Sequence, residues 1–202
     1  MSPLIWYLIA YLIGGIPFGY LIAKYFAGIN IKEHGSGNIG ATNVLRVLKQ
    51  SDPVKAKKLA ATTLFLDAFK GAFVILAAKA FGVCDATQWA IAVIAVIGHC
   101  FSPYLKLEGG KGVATTAGVL LVLVLKAVIV AIIVWFIMAK TVRISSLSSL
   151  TAIVVGILST YILYPDLPIH SHVPLIIIGF IVLYKHKENI YRLLTGQEKR
   201  VI

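Results

Sequence analysis

Residues 113–140 read VATTAGVLLVLVLKAVIVAIIVWFIMAK, and the number of helices in this stretch decides how the whole chain is threaded. Taken as one helix it is a span of about 26 residues; taken as two it breaks at Lys126, the single charge between Lys111 and Lys140. A helix of about 20 apolar residues crosses the roughly 30 Å of bilayer hydrocarbon, and further windows of that kind lie near 4–27, 59–82, 88–105, 144–164 and 172–185. One helix at 113–140 gives six spans, and two give seven. Lys and Arg gather on the cytoplasmic side of short loops. With seven spans and the N-terminus outside, every basic residue except Lys70, Lys79 and Lys126 falls on the inner side. With six, Lys140, Arg143 and the basic run from Lys185 to Arg200 are turned outward. The expectation is therefore an all-α, polytopic membrane helix bundle of seven transmembrane helices, N-terminus out and C-terminus cytoplasmic. Its two short helices, about 13 residues or about 20 Å each, must tilt little or be shielded by neighbours. Lys126 is expected to snorkel to the outer surface.

Composition points the same way. Of 202 residues 59% are hydrophobic and 13% charged, at a mean hydropathy of +0.90, too little polar surface to coat a soluble globule. The 19 Lys plus Arg against 8 Asp plus Glu leave a net charge of +11, which points to anionic headgroups or anionic substrates. Disorder, a disulfide-stapled secreted module and nucleic-acid binding fit poorly with long apolar runs and two cysteines. Cys84 and Cys100 sit at apolar segment ends and read as packing residues. The run from Leu4 to Gly28 is too long for a signal h-region and lacks a basic n-region, so it is expected to be a retained first span. No internal repeat interrupts residues 1–202, which read as one integral-membrane domain.

The polar segments, about 29–58, 106–112, 141–149 and 186–202, all fall on the inner face, so chemistry is expected there. The first contains GSGNIGATNVLR at 35–46. Gly35, Gly37 and Gly40 satisfy G-x-G-x-x-G, but a membrane span precedes them rather than a strand, which removes the dinucleotide reading. Glycines still admit a ligand close to the backbone, and the next helix start offers free N–H groups to an anion. Thr42, Asn43 and Arg46 share one helical face; a solvated loop with a membrane-surface helix is the plainer alternative. In the second segment Lys111 lies within Gly109-Gly110-Lys111-Gly112, ahead of an apolar helix, a phosphate-cradling arrangement that also reads as a flexible turn. Leu105 stands where a Walker A loop needs glycine. His99 reads as a helix-end residue. In the third, His186 and Asn189 share a face at i, i+3 and Gly196 ends the helix; a protonic or anion role competes with a solvated juxtamembrane helix. Asp67 and Lys70 read as a buried structural ion pair, with a proton path as the alternative. The serine run after Arg143, with Ser146 and Ser149, either caps a helix or points hydroxyls at an anion.

Paired carboxylates, Cys/His clusters and a His-x-x-x-x-Asp signature are missing from the sequence, so no catalytic metal or other cofactor is expected. Taken together, GSGNIGATNVLR at 35–46, Gly98-His99 followed by GGKGVAT at 109–115, and HKENIYRLL at 186–194 resemble the three motifs of the bacterial acyl-phosphate:glycerol-3-phosphate acyltransferase family. Asp67-x-x-Lys70-Gly71 and the serine run resemble family features too. The resemblance covers the chain in order and spacing. It departs at Glu108, where members often carry a basic residue, and at Pro103, one place later than usual.

The resemblance implies a seven-helix enzyme of the bacterial inner membrane, with its site at the cytoplasmic face. It would transfer a fatty acyl group from acyl phosphate to the 1-hydroxyl of sn-glycerol 3-phosphate. Candidate catalytic residues are then Ser36, Arg46, Lys111, His186 and Asn189, with Arg46 and Lys111 neutralising phosphates and His186, positioned by Asn189, serving as base or anion contact. A rival is that acyl phosphate itself takes the proton, leaving His186 a binding role, and Ser36 as covalent nucleophile is a second rival. Gly35, Gly37, Asn38, Thr42, Asn43, Gly109, Gly110, Gly112, Ser146 and Ser149 are the candidate substrate-binding set, the second group of glycines as N–H donors. The expected partners are the two substrates and membrane lipid, with no metal and no nucleic acid, in a monomer. The non-enzyme alternative is an organic-phosphate transporter, disfavoured because the motifs crowd one face and no repeat appears.

Overall fold

The computed structural model describes residues 2–200, and every regular element among them is helical. Helices α1 (Pro3–Gly15) and α2 (Phe18–Ala27) form the first apolar stretch, broken at Ile16-Pro17. Proline has no N–H to continue the ladder and pushes the preceding residue out of the helical region, and Ile16 accordingly sits at ψ 118°. After the loop comes α3 (Ala41–Leu48), which covers the buried Ala23, Ile31, Ile39, Ala56 and Ala60 with Val44 and Leu48. The long α4 (Pro53–Ala80) opens on Asp52, whose carboxylate accepts the Val54 and Lys55 N–H groups at 3.1 and 2.9 Å, with Pro53 at the first helical position. Then follow α5 (Asp85–Cys100), α6 (Val113–Leu123), α7 (Leu125–Thr141), α8 (Ser145–Leu163), α9 (Val173–Lys185) and α10 (Lys187–Leu194).

Four stretches are long and apolar enough to cross a membrane: Pro3–Ala27, Pro53–Ala80, Asp85–Leu105 and Ser145–Leu163; α6 and α9 are shorter apolar helices. The stretch 113–140 is two helices. The break falls at Val124, two residues before Lys126, so the pieces are 11 and 17 residues instead of two of about 13. No glycine or proline marks it. The buried Val124 takes φ −142°, ψ 59°, and the Tyr164 hydroxyl accepts the orphaned Lys126 N–H at 3.0 Å. Lys126 itself is exposed.

The helices pair through small residues, as expected where lipid removes most hydrophobic drive and close packing must supply the association. α1 lies along α5, α4 along α6, and α7 along α8. A Cβ at Gly118 would stand 1.9 Å from the Ala68 carbonyl oxygen, and one at Gly14 would stand 2.3 Å from that of Ala95. Either methyl would force its helix pair apart. One apolar core, including Trp6, Val74, Trp89, Ile91 and Ile178, joins these pairs. Cys100 is buried with them, whereas Cys84 is exposed and does not serve as the expected packing residue.

Candidate active site

At one end of the bundle the polar segments converge. The loop ahead of α3 is built around Asn43. Its side-chain amide donates to the Asn38 and His34 carbonyls at 2.9 and 3.0 Å, while its Oδ1 accepts the Ser36 N–H at 2.9 Å. Asn43 is 2% exposed, so it shapes the loop and its polar atoms are already engaged. Gly35 and Gly37 carry φ of 64° and 68°, backbone that side chains rarely adopt, and a Cβ on Gly35 would strike Asn43 Oδ1. The Asn38 carboxamide oxygen accepts the Gly40 N–H at 2.8 Å. Held this way, the loop presents Ser36 in an exposed position and α3 carries a half-buried Arg46.

The loop before α6 supplies Lys111. Its ammonium donates to Asn189 Oδ1 at 2.5 Å, from the first turn of α10. Burial lowers the Lys111 pKa to about 8, with Glu198 pulling it up and Arg192 and Arg46 pressing it down. The flanking glycines are tightly packed. The Gly110 N–H donates to the His99 carbonyl at 3.0 Å, a Cβ on Gly109 would lie 2.2 Å from that oxygen, and Gly112 is pressed against Cys100 and Val182. Gly110 therefore has no N–H free for a ligand, contrary to the expectation for this glycine.

His186, 2% exposed, caps α9, and its Nδ1–H donates to the Val182 carbonyl at 2.7 Å. A carbonyl only accepts, so this bond fixes the neutral tautomer with the lone pair on Nε2. Burial pushes the ring down to about 4, with Val182 opposing and Lys111 adding to the fall. The expected orientation of His186 by Asn189 is replaced by this carbonyl. Asn189 instead joins Lys111 to Glu198, its Nδ2 donating to Glu198 Oε1 at 2.7 Å.

Glu198 is the residue that sequence reasoning missed. Gly196, at φ 70°, turns the chain after α10 so that Glu198 returns onto the helix it has just left. There its carboxylate accepts from Ser146 Oγ at 2.7 Å, Asn189 Nδ2 at 2.7 Å and Arg192 Nε at 2.6 Å. Burial favours its neutral form, but these three donors outweigh it and hold the carboxyl below its ordinary range. Arg192 was missed with it. A lone carboxylate two residues past a helix-ending glycine, within a basic segment, was the available signal.

Of the serine run, Ser146 enters this cluster and Ser145 Oγ meets Thr42 Oγ1 at 3.1 Å, tying α8 to α3. The run does not cap α8, whose N-cap is Ile144 with no side-chain cap. Ser149 lies outside the cluster, accepting from Trp135 Nε1 at 3.2 Å. Asp67 and Lys70 form the expected buried pair at 2.7 Å. The geometry thus gathers three basic side chains, a neutral imidazole and one carboxylate from three of the polar segments, and the Ser146 hydroxyl from the fourth, at one end of the bundle.

Residues 4–196 match the family described as glycerol-3-phosphate acyltransferase. The chain is similar to the glycerol-3-phosphate acyltransferases of Wolinella succinogenes, 56% identical with 97% of this chain and 95% of the relative covered, and of Sulfurimonas denitrificans, 58% identical with the same coverage. It also resembles crystal structures of PlsY, an integral membrane glycerol 3-phosphate acyltransferase, in glycerol 3-phosphate and lysophosphatidic acid forms. The TM-scores are 0.86 and 0.84 at 34% identity, with 99% of this chain covered and 96% and 95% of the others.

Proposed function

The chain belongs to the glycerol-3-phosphate acyltransferase family, and from that membership we infer that it transfers a fatty acyl group from acyl phosphate to the 1-hydroxyl of sn-glycerol 3-phosphate, releasing lysophosphatidic acid and phosphate. The observation that carries the reading is the Lys111–Asn189 contact inside a group of basic side chains, because it joins the second and third polar segments in one anion-binding site. One substrate is a small phosphate ester and the other a phosphate with an acyl tail. The cluster supplies charge for two phosphates, and the adjoining helices supply apolar surface for the tail.

Arg46 and Lys111 neutralise the phosphates, Arg46 able to grip one bidentately. Ser36, beside the Asn43-built loop, orients a substrate oxygen. His186 Nε2 accepts the hydrogen bond of the attacking hydroxyl. A ring held near 4 is a weak resident base, whereas a phosphate-ester dianion takes up a proton at about pH 6. The proton therefore finishes on the departing phosphate. As the C–O bond to the hydroxyl forms, the acyl carbon–phosphate oxygen bond breaks. Acyl phosphate is an activated mixed anhydride, so alignment and charge neutralisation are what the reaction needs from the protein, and no metal is required.

Topology fits this site. Lys111 and Asn189 touch, so the chain between them must cross the membrane an even number of times. The α6–α7 break makes four crossings of α6 to α9, which supports seven spans in all. Positive charge on the motif-bearing end supports a cytoplasmic site, an outside N-terminus and an inner-membrane location. All the named groups come from one chain, so a monomer suffices.

The test is phosphate release from palmitoyl phosphate by purified protein in lipid-containing detergent, with and without glycerol 3-phosphate, beside Lys111→Ala. The reading expects release that requires glycerol 3-phosphate, matches lysophosphatidic acid formation, survives EDTA and collapses in the variant. Folded protein that leaves palmitoyl phosphate intact would overturn it and make transport assays the next step.

A further inference from the structure

Beneath the site, the last turn of α5 carries a buried imidazole that takes no part in binding either phosphate. His99 is 4% exposed and stands between two things. On one side its Nδ1 lies 3.6 Å from Asp67 Oδ1. On the other it supports the loop that bears Lys111: its carbonyl accepts the Gly110 N–H at 3.0 Å, and a Cβ on Gly110 would stand 2.1 Å from its Nε2. The ring thus fills the space under Gly110, one residue before Lys111.

Asp67 is itself anchored. Lys70 donates to its Oδ1 at 2.7 Å and, with another N–H, to the Ile16 carbonyl at 2.6 Å at the α1–α2 break, where that oxygen also accepts the Phe18 N–H at 3.1 Å. Thr115, two residues into α6 on the far side of Lys111, donates to the Asp67 backbone carbonyl at 3.0 Å. Asp67 therefore meets both flanks of the Lys111 loop, its carboxylate facing His99 before the loop and its backbone carbonyl holding Thr115 after it. Charges this deep in a membrane helix are costly, and this arrangement gives them a use. His99 Nδ1 has no hydrogen-bond partner among the described residues. At 3.6 Å the Asp67 contact is too long to count as one.

We propose that His99 is a positioning residue for the acyl transfer: wedged between the Asp67 carboxylate and the Gly109–Gly110 backbone, it sets the place of the Lys111 ammonium opposite Asn189. It rests on the acyltransferase reading, because it assigns His99 a part in that reaction without contact to either substrate.

The experiment uses the full chain in detergent, with His99→Ala, His99→Asn, Gly110→Ala and the Gly110→Ala/His99→Asn double variant. Readouts are lysophosphatidic acid formation, thermal midpoint, and amide hydrogen exchange of the peptide covering 106–112. A catalytic group misplaced by about 1 Å costs about 10²-fold, so kcat/KM in His99→Ala falls by that order while exchange in 106–112 rises and other peptides hold. His99→Asn keeps an N–H donor toward Asp67 and lacks the ring edge under Gly110. The methyl of Gly110→Ala then has room in the double variant, which recovers at least about threefold in kcat/KM over Gly110→Ala alone. A double variant worse than either single one, or an unchanged 106–112 peptide in His99→Ala, overturns the proposal. If His99→Ala does not fold, the Gly110→Ala and double-variant comparison decides it. Unsubstituted protein that makes no lysophosphatidic acid overturns the acyltransferase reading, and the exchange data then still report whether His99 holds the loop.

Discussion

Lys111 donates its ammonium to Asn189 Oδ1 across 78 residues of sequence, and the burial of the lysine at this place makes the affinity of the site for phosphate depend on pH. Burial lowers this lysine to about 8. Below that value it is charged and attracts phosphate; above it the proton is lost and the attraction goes with it. At pH 9 only about one-tenth of the free site keeps the charge. KM for one of the two phosphate substrates should therefore rise about tenfold between pH 7 and 9, a window in which the substrate phosphate's own charge changes little. Lys111→Arg keeps its charge throughout and should flatten this limb at some cost in kcat, since a guanidinium does not replace an ammonium at a fixed contact. Initial rates at varied substrate across that range check both.

His186 should leave no mark on the acid side. With its pKa near 4 the ring is neutral across pH 5 to 8, and the bond from Nδ1 to Val182 leaves Nε2 facing any hydroxyl with a lone pair. Activity should show no His186 limb above about pH 5. His186→Gln should lower kcat by about 10²-fold, the usual scale of a group that handles a proton in flight, with KM for glycerol 3-phosphate nearly unchanged. A variant altered in KM alone would make His186 an anion contact and contradict the neutral ring.

Glu198 binds the site together, and its removal should cost both stability and rate. Its carboxylate takes hydrogen bonds from Ser146, Asn189 and Arg192, and side-chain bonds to a charged partner contribute about 1.5–3 kcal/mol each when deleted singly. The carboxyl is held below its unfolded value of about 4.3, so its contribution is complete above that pH and is lost as pH falls through the folded value. Thermal midpoints should drop steeply below about pH 4.5. Glu198→Gln should start lower at pH 7 and lose that part of the acid slope, and melting curves from pH 3.5 to 7 would show it.

Much of this was legible in the chain, and the remainder has physical reasons. The orientation argument from Lys126 and the basic loops found the α6–α7 division because charge is costly in lipid wherever it falls; it missed the exact break because Tyr164, 40 residues on from Val124, supplies the partner that stabilises the turn. Residue type and segment single out Arg46, Lys111, His186, Asn189 and Ser146, which the fold brings to one end of the bundle. They do not single out the partners of these residues. Asn43 proves to be a loop builder, and Gly110 gives its N–H to α5, because hydrogen-bond ownership is decided by which segments meet in space. Glu198 escaped since a carboxylate among basic residues reads as a solvated charge until Gly196 is seen to fold it back.

Glu108, the departure from the family pattern, gives the mildest expectation. It pairs with Lys32 from the loop before α3, and that hydrogen bond and charge keep its carboxyl below the ordinary range. The side chain is 68% exposed, so water and salt screen the pair, and exposed pairs contribute little. It is a link between the first and second polar segments that costs nothing essential to lose. Glu108→Lys should change kcat/KM by less than about threefold at 0.15 M salt. The difference should widen at low ionic strength, where the new charge repels Lys32 while adding to the attraction for anionic substrates. A large loss at 0.15 M salt would mean that the link sets the spacing of the two loops, and the Lys32→Glu/Glu108→Lys exchange would then have to restore it.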